Sequence, residues 1–401
     1  MPTKEINQSL LKELSAQVLE SGEKLTLDFD GHTVSFTHLD KPMFFTTGES
    51  MNKPLTPPLR KRDYLHYLLQ VSDYVLPHLR DRPVTQIRFP SGMYGMRFFQ
   101  KHSEQKLPPF VETVRYFSES TGKDSDYFLC NNLATLLWFA QMAVLEFHTV
   151  HSRIDPAPDA KDISTKFAGS AANVKSSLLN YPDFLVLDLD PYIYSGKENK
   201  GDEPELHKAG FYKACEVALV LRKNLEDVGL NSFVKTSGKT GLHIFVPIIR
   251  NVEYDVVRSL AQIMGVHLQK SLPNDVTMEW KVANRPGKIF FDHNMNGRGK
   301  TLASIYSPRA TAEATVSTPV TWAELEAGKI YPTDFTMRTL PARLLETGDL
   351  WSRVLESKKD LQIVLQSEVA AGAIKEPAKK TTTKKTKSDT VAKSKKSKTS
   401  T

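Results

Sequence analysis

Three aspartates that follow apolar runs have the residue type and spacing of a metal site. Asp188 and Asp190 follow the run Phe184–Leu187 two residues apart, and Asp292 follows Lys288–Phe291. Side chains alternate across a strand, so Asp188 and Asp190 project from the same face. Three such carboxylates could hold two divalent ions roughly 3.5–4 Å apart for in-line phosphoryl displacement. We therefore predict that all three are catalytic and bind metal, although an aspartate pair of this spacing is also typical of an ordinary strand end.

The segment between these acids could bind phosphate. It runs from Ser237 through Lys239 and Thr240 to Gly241, and His243 follows. Its two glycines allow a tight turn that exposes backbone N–H groups, and the other side chains add hydrogen-bond donors. The spacing is not that of a Walker A loop, and the segment alone also fits a plain turn. Beside three aspartates of metal-binding type, it predicts a triphosphate site. Three downstream cations could neutralise the phosphates there: Arg298, Lys300 and Arg309.

The composition excludes several classes of protein. Of 401 residues, 40% are hydrophobic and 9% aromatic, so neither a disordered nor a fibrous chain fits. The two cysteines, Cys130 and Cys215, cannot form a disulfide framework or a CxxC zinc pair. No apolar run approaches the ~18 residues of a membrane span, and the N-terminus lacks the apolar core of a signal peptide. We therefore predict a reduced cytoplasmic protein with no membrane attachment.

The formal net charge of +7 is unevenly distributed. Residues 375–401 contain ten lysines and two acids, a net of +8, which leaves the first 374 residues at −1. This tail is rich in Lys, Ser, Thr and Ala, so we expect it to be disordered. It could tether the chain to a polyanion through phosphate contacts, or it could be a solubilising terminus.

Hydrophobic periodicity predicts an α+β protein with a mixed or antiparallel central sheet. The strand patterns cover Leu25–Phe29, His32–Phe36, Val84–Phe89, Met96–Gln100, Asp183–Asp190, Phe233–Lys235, Leu242–Ile249 and Lys288–Phe291. The helix patterns cover Lys61–Leu79, Asn131–Phe147, Leu206–Val228 and Tyr254–Gln269. Asp30-Gly31 is a hairpin turn signal, and the Pro/Asp-rich segment Ile154–Asp162 is a candidate interdomain linker.

Ordered motifs along nearly the whole body resemble the polymerase domain of bacterial ligase D, in the archaeo-eukaryotic primase superfamily. The motifs are THLDK, RPVTQIRFPSG, FFQKH, LEFH, LVLDLDP, KTSGxxGLHIFVPI, RPGKIFFDHN, NGRGKT, YSPRA, VSTPVTWAEL and LPARL. The likeness extends from about Leu25 to Trp351. It implies a primase-polymerase fold, in which an αβ module packs on a modified RRM-like module.

The resemblance also implies roles for individual residues. It assigns the metal, commonly manganese and otherwise magnesium, to the three aspartates. Nucleotide-binding positions are Ser237, Lys239, Thr240, His243, Arg285 and Arg309, of which Lys239 lies one place earlier than the family lysine. DNA-binding positions are Lys41, Lys61, Arg88, Phe98, Phe99, Lys101 and His148. Lys41 and Lys61 match lysines that grip a 5′-phosphate, and the two phenylalanines match a pair that packs on template bases. Insertions at Gly48–Pro58 and Tyr194–Glu205 are departures from the family pattern.

These observations predict four segments. They are an N-terminal helical extension (1–24), a catalytic domain (25–355), a C-terminal helical segment (356–374) and the tail (375–401). The ligase motif K-x-D-G is absent, so we expect a stand-alone polymerase acting in the bacterial nucleoid with Ku and a separate DNA ligase.

The expected activity is metal-dependent and DNA-templated, and it prefers ribonucleotides. It would act in double-strand break repair by non-homologous end joining, where it would fill gaps and extend ends in DNA that bears a 5′-phosphate. The alternatives are a primase or gap-filling enzyme independent of Ku, and a non-catalytic scaffold that binds DNA ends.

Overall fold

The computed structural model describes residues 7–45, 57–103, 106–192 and 206–370. The predicted tail, 375–401, and most of the two insertions lie outside these ranges. Within them, the residues up to Gln362 belong to one compact unit. No helix formed by the described residues is long and apolar enough to cross a membrane.

Helices and strands alternate along the described chain, as the sequence predicts. The helices are α1 (Gln8–Glu20), α2 (Lys61–Leu79), α3 (Leu133–Gln141), α4 (Ala171–Lys175), α5 (Lys208–Asp227), α6 (Tyr254–Ser271), α7 (Trp322–Glu326), α8 (Leu340–Thr347) and α9 (Leu361–Ala370). The first eight strands are β1 (Lys24–Phe29), β2 (His32–Thr37), β3 (Pro42–Phe44), β4 (Leu59–Arg60), β5 (Val84–Arg88), β6 (Phe98–Gln100), β7 (Thr113–Ser118) and β8 (Lys123–Phe128). The others are β9 (Val144–Thr149), β10 (Phe184–Tyr192), β11 (Phe233–Thr236), β12 (Leu242–Pro247), β13 (Val276–Thr277), β14 (Lys288–Phe291), β15 (Leu302–Ala303) and β16 (Pro319–Val320).

The larger sheet carries the aspartates and the phosphate-loop segment. Its strand order is β13-β14-β10-β12-β11-β16, with every pairing antiparallel except β13 with β14. The apolar run of β10 is buried at the centre of this sheet, and the strand continues through Asp190 to Tyr192. Asp190 therefore lies inside the strand and not at its end.

On the edge of β10 that faces β14, a side chain continues the hydrogen bonding beyond the end of the strand pairing. Only residues 189–192 of β10 pair with β14. The amide of Asn296 accepts from Val186 N–H at 2.8 Å and donates to the Val186 carbonyl oxygen at 2.6 Å. Asn296 ends a 3₁₀ turn, His293–Asn296, that directly follows Asp292. This turn is thereby attached to the central strand.

A second sheet, of order β15-β9-β5-β6, is antiparallel throughout. One hydrophobic core joins it to α2, α3 and the larger sheet, through residues such as Tyr64, Phe139, Phe147 and Phe245. The α+β class with antiparallel sheets is confirmed. The β1–β2 hairpin also has its predicted turn, with Asp30 and Gly31 both at positive φ.

One predicted helix is wrong in its second half. Asn132 caps α3 by accepting from Thr135 N–H, but the helix ends at Gln141 and the chain continues as β9. Ala143, at φ 56°, makes the reversal between them. A continuous apolar run fits a buried helix and a buried strand equally well, so periodicity does not separate them here. The LEFH motif consequently lies on a strand.

The candidate linker Ile154–Asp162 is packed within the compact unit instead of joining two units. Arg250, which is 1% exposed, donates to the carbonyl oxygens of Asp155 and Ala157 and to the Asp159 carboxylate. Immediately before β10, the carboxylate of Asp183 forms ion pairs with Arg82, Arg153 and Lys358, which come from distant parts of the sequence.

Candidate active site

Register across three antiparallel strands aligns the central residues of the site. Asp188 of β10 lies directly opposite His243 of β12, and His243 lies opposite Lys235 of β11. Residues directly opposite each other share a face of the sheet. On the other side of β10, Asp190 lies opposite Phe290, and Asp292 N–H donates to the Asp188 carbonyl oxygen at 3.0 Å. The three aspartates therefore meet on one face.

The electrostatics of these acids are unfavourable without a cation. Burial, reinforced by Asp190 and Asp292, raises the pKa of Asp188 well above its ordinary value. Burial and the Asp292 charge raise the pKa of Asp190 to about 6. Asp188 Oδ1 is buried without a hydrogen-bond partner, and His243 Nε2 lies 3.4 Å away. Like charges held together in this way favour a bound cation.

The donor set fits a hard divalent ion whose coordination a substrate completes. Among the residues that the structure describes, no three His, Cys, Asp or Glu side chains form a ready-made metal cluster. Mg²⁺ and similar ions usually bind to one or two carboxylates and take their other ligands from water and substrate phosphates. The unpartnered Oδ1 of Asp188 and the neighbouring carboxylates of Asp190 and Asp292 match that requirement.

The predicted phosphate loop is a tight turn between β11 and β12. Ser237 Oγ accepts from the N–H groups of Lys239 and Gly241, at 3.2 and 3.1 Å. A Cβ on Gly241 would lie 2.0 Å from the Leu189 carbonyl oxygen, so only glycine fits against β10. Gly238 has φ +75°, and a Cβ there would lie 2.6 Å from Arg309 Cγ. Both glycines are therefore required for the loop to approach the acids, and Thr240 is buried within it.

One buried glutamate, Glu146 of β9, gathers the cations of the loop. Its Oε2 accepts from Arg309 Nε at 3.1 Å and lies 3.2 Å from His148 Nε2. Its Oε1 lies 3.7 Å from Lys239 Nζ. Burial alone would raise the pKa of Glu146, but Arg309, His148 and Lys239 hold it well below its ordinary value. Glu146 is thus a carboxylate that keeps three cationic or polar groups beside the loop.

Arg285 lies near the acids but is enclosed. It is 3% exposed, with its guanidinium 3.4 Å from the centre of the Phe290 ring and 4.6 Å from that of Tyr192. It also donates to the carbonyl oxygens of Glu279 and Trp280, each at 2.6 Å. The structure therefore places Arg285 in an aromatic cage beside Asp190, where its charge partly offsets the rise in the pKa of that carboxyl.

A second set of predicted residues surrounds the C-terminal end of α3. Lys61 Nζ donates to the carbonyl oxygens of Thr37 and Gln141, at 3.1 and 3.3 Å. Burial and the nearby Lys41 lower the pKa of Lys61 to about 8. Lys41 itself donates to the Pro90 carbonyl oxygen at 2.5 Å. Two lysines are thus close together, as a shared phosphate would require.

The remaining DNA-side residues lie on β5, on β6 and directly after β6. Arg88 Nε donates to the Met142 carbonyl oxygen at 2.9 Å, and burial lowers the Arg88 pKa. Opposite it in the sheet, Phe98 is 46% exposed, and the adjacent Phe99 is 63% exposed. Lys101 is exposed at the end of the same segment. Exposed aromatic rings beside cations are what stacking on nucleic-acid bases needs.

The structure separates one predicted cation from the loop and adds two residues that sequence reasoning missed. Arg298 is ion-paired with Glu119. Glu146 and Lys235 were overlooked, although each is a charged residue in an otherwise apolar strand pattern. Glu146 is two residues before His148, so the two share a face of β9, but that alternation applies only if the segment is a strand and not the predicted helix.

Known proteins resemble this chain in sequence. The sequence profile described as LigD, primase-polymerase domain matches residues 60–351. The bifunctional non-homologous end joining protein LigD of Bacillus subtilis is 28% identical over 316 residues, 79% of this chain and 43% of that protein. The multifunctional LigD of Pseudomonas aeruginosa is 30% identical over 315 residues, 78% of this chain and 33% of that protein. This chain therefore spans well under half the length of these relatives.

A solved structure shows the same fold. It is the polymerase domain from Mycobacterium tuberculosis ligase D in complex with DNA, with a TM-score of 0.64 and 27% sequence identity. The match covers 81% of this chain and 99% of that one. The profile match and the shared fold lead to one conclusion: this chain belongs to the LigD primase-polymerase domain family.

Proposed function

We propose that this chain is a metal-dependent nucleotidyltransferase that extends a DNA primer on a template. The observation that carries the proposal is the row of three carboxylates, one with an unpartnered buried oxygen, next to a glycine loop supplied with cations. In the reaction, a primer 3′-oxygen forms a bond to the α-phosphorus of a nucleoside triphosphate. The bond to the β-phosphate oxygen breaks, pyrophosphate leaves, and the hydroxyl proton passes to solvent.

Each part of the site has a role in that reaction. Asp188, Asp190 and Asp292 would hold Mn²⁺ or Mg²⁺, which supplies charge neutralisation and a more acidic primer hydroxyl. The turn Ser237–Gly241 would hold the triphosphate, assisted by the side chains of Lys239 and Arg309. Since Glu146 already positions these two cations, little reorganisation is needed when the nucleotide binds.

The DNA is proposed to lie along the second set of residues. Lys41 and Lys61 would contact a 5′-phosphate at a gap or break, because two adjacent ammonium groups favour a divalent anion. Phe98 and Phe99 would stack on template bases. Arg88, Lys101 and His148 would complete the contacts to DNA or nucleotide.

The biological setting is also proposed from the relatives. Since proteins named for non-homologous end joining share this domain, we propose that the chain fills gaps and extends ends in that pathway, preferring ribonucleotides. Ku and a separate DNA ligase would be its partners, in the bacterial nucleoid.

Extension of a gapped duplex by the full chain tests the proposal. The rate of extension is compared between substrates with and without the downstream 5′-phosphate. Each substrate is supplied with either NTPs or dNTPs, in the presence of Mn²⁺, Mg²⁺ or EDTA. We expect extension with a metal, faster with NTPs and with the 5′-phosphate, and none in EDTA. Asp292→Asn is expected to bind the duplex but not extend it. Extension in EDTA, or by that variant, would refute the mechanism.

A test variant and a matched control variant address the 5′-phosphate site. Lys61→Met is expected to remove the preference for the 5′-phosphate while leaving extension of an open primer–template intact. Lys223→Met, at an exposed position of α5, is the control and should keep the preference. Equal use of both gapped substrates by the unmodified chain would favour a gap-filling enzyme outside end joining, and absence of any incorporation would favour a binding scaffold.

A further inference from the structure

Lys235 is a fully buried lysine for which the proposed reaction has no direct use. It is 0% exposed and lies in the same cross-strand row as His243 and Asp188. A buried ammonium group is costly unless every one of its protons finds an acceptor. Its surroundings therefore indicate what it is for.

Three acceptors surround Lys235 Nζ. The distances are 2.8 Å to His243 Nδ1, 2.9 Å to the Ala303 carbonyl oxygen and 2.5 Å to Ser317 Oγ. Ser317 donates its own hydroxyl proton to the Thr236 carbonyl oxygen, so towards Lys235 it can only accept. A lysine ammonium group has three protons and no acceptor capacity. Burial lowers the pKa of Lys235, and a neutral amine could close the count of donors and acceptors by accepting from His243 Nδ1–H. The neighbouring Asp188 charge favours the ammonium form, in which all three protons are donated and His243 Nδ1 is an acceptor.

This arrangement determines what the other ring nitrogen can do. A neutral imidazole has one N–H and one lone pair, and which nitrogen has the proton depends on the partner of the other. With Nδ1 occupied by Lys235, the proton of His243 is on Nε2. That nitrogen faces the acid side of the site, 3.4 Å from Asp188 Oδ1.

We infer that Lys235 is a positioning residue that holds the His243 ring with Nε2–H directed at the nucleotide phosphates. The inference rests on the proposed function, since it gives that N–H a phosphate oxygen as its partner. Phosphate oxygens only accept hydrogen bonds, so the opposite tautomer would present a lone pair to them. Lys235 does not touch the substrate and acts through the histidine.

The same lysine connects the two sheets beneath the site. Ala303 belongs to β15 and is paired in register with His148 of β9, whereas Lys235 belongs to β11. One side chain thus relates the strand of His243 to the strand of Glu146 and His148. Its loss would therefore disturb the orientation of His243 first, and then the spacing of the cations around the loop.

The tautomer of His243 in the unmodified full chain is the primary test. The chain is labelled with ¹⁵N-histidine and measured in EDTA, and the His243 signals are identified by their loss in His243→Gln. We expect Nδ1 to be unprotonated and Nε2 protonated. A protonated Nδ1 would overturn the inference. This measurement uses no DNA, nucleotide or metal, so its result does not depend on whether the chain is a polymerase.

A substitution then tests the consequence. Lys235→Met is expected to change the His243 nitrogen signals and to raise the KM for the nucleotide about tenfold or more, because a hydrogen bond to a charged group is lost. The value of kcat and the affinity for DNA should change much less. The surface variant Lys223→Met should match the unmodified chain in each measurement. Unchanged His243 signals in folded Lys235→Met would refute the assignment, and if that variant does not fold, the spectrum of the unmodified chain decides.

Discussion

Two buried aspartates, one directly before β10 and one in the middle of it, have opposite environments. Asp183, immediately before β10, is 0% exposed and within ion-pair distance of Arg82, Arg153 and Lys358. Burial alone would raise its pKa, but these cations hold it far below the ordinary value. Asp188, within β10, is also buried, yet it has other carboxylates as neighbours and its pKa is raised.

The difference separates a structural carboxylate from one that we propose to be functional. At Asp183 the protein supplies more cations than the charge requires, so nothing external is needed. At Asp188 the cation is left out, and the buried oxygen keeps a free coordination position. Burial by itself therefore does not identify a site, whereas burial without a compensating partner does.

The largest expected effect is the loss of catalysis when Asp188 is substituted. Asp188→Asn should reduce primer extension by about a thousandfold or more, because a metal ligand contributes several kcal/mol to the transition state. The free energy of unfolding in EDTA should stay the same or rise, since a buried repulsion is removed. Steady-state extension and urea unfolding measure the two quantities. Activity within tenfold of the unmodified chain would contradict the assignment.

Substitution of Asp183 should change the free energy of unfolding in the opposite sense. Asp183→Asn removes the counter-charge of Arg82 and Arg153, whereas Lys358 keeps Asp159 as a partner. The substitution should lower the free energy of unfolding by about 3–5 kcal/mol. Asp255→Asn is the control, because that side chain is 74% exposed and its pairing with Arg258 should contribute at most about 0.5 kcal/mol. Urea unfolding of both variants gives the comparison. Equal stabilities would show that the cations at Asp183 do not need it.

The stability gained on adding metal should depend on Asp188. At a Mn²⁺ concentration one hundred times its Kd, binding to the folded state alone adds about 2.7 kcal/mol of stability. This increase is expected in the unmodified chain and in Asp255→Asn, and it should be absent in Asp188→Asn. Thermal unfolding with Mn²⁺ or EDTA checks it. A full increase in Asp188→Asn would locate the ion elsewhere.

The smallest effect is on the pH dependence of stability. The folded pKa of Asp190, raised to about 6, exceeds the ordinary value of an unfolded chain, so the folded state binds this proton more tightly. The contribution of Asp190 to stability in EDTA should therefore rise as the pH falls from 7 towards 5. The buried histidines His148, His151 and His243, whose pKa values are lowered, contribute in the opposite sense in every variant. Asp183 is ionised in both states over this range, since its contribution is lost only as the pH falls through its depressed folded pKa.

The measurement compares melting temperatures at pH 7 and pH 5. The change in melting temperature from pH 7 to pH 5 should be more favourable in the unmodified chain than in Asp190→Asn, by about 2–4 °C for each kcal/mol of repulsion relieved. Identical changes in both proteins would show that Asp190 titrates normally.

The sequence predicts those parts of the site that depend on neighbouring residues in the chain. Asp188, Asp190 and the glycine turn could be identified because strand alternation and turn chemistry are local. The partners of the same residues could not. Glu146 meets Arg309 across 163 positions, and Lys235 meets Ser317 across 82, so only the sheet registers bring them together.

The errors in the fold have the same origin. The stretch from Met142 to Phe147 is apolar enough for either a helix or a strand, and its pairing with β5 selects the strand. Arg285 has the expected position in its motif, but its aromatic cage is built from β10, β14 and the segment before β14. The roles of these residues in nucleotide and DNA binding stay predictions.

The amide of Asn296 has a consequence for how the chain can change. By pairing with both backbone groups of Val186, it makes the turn after Asp292 continue the hydrogen-bond ladder of the sheet. Asp292 is therefore fixed by strand register and not by the length of a surface loop. Altering Asn296 would therefore move Asp292 relative to Asp188 and Asp190, whose own spacing β10 keeps.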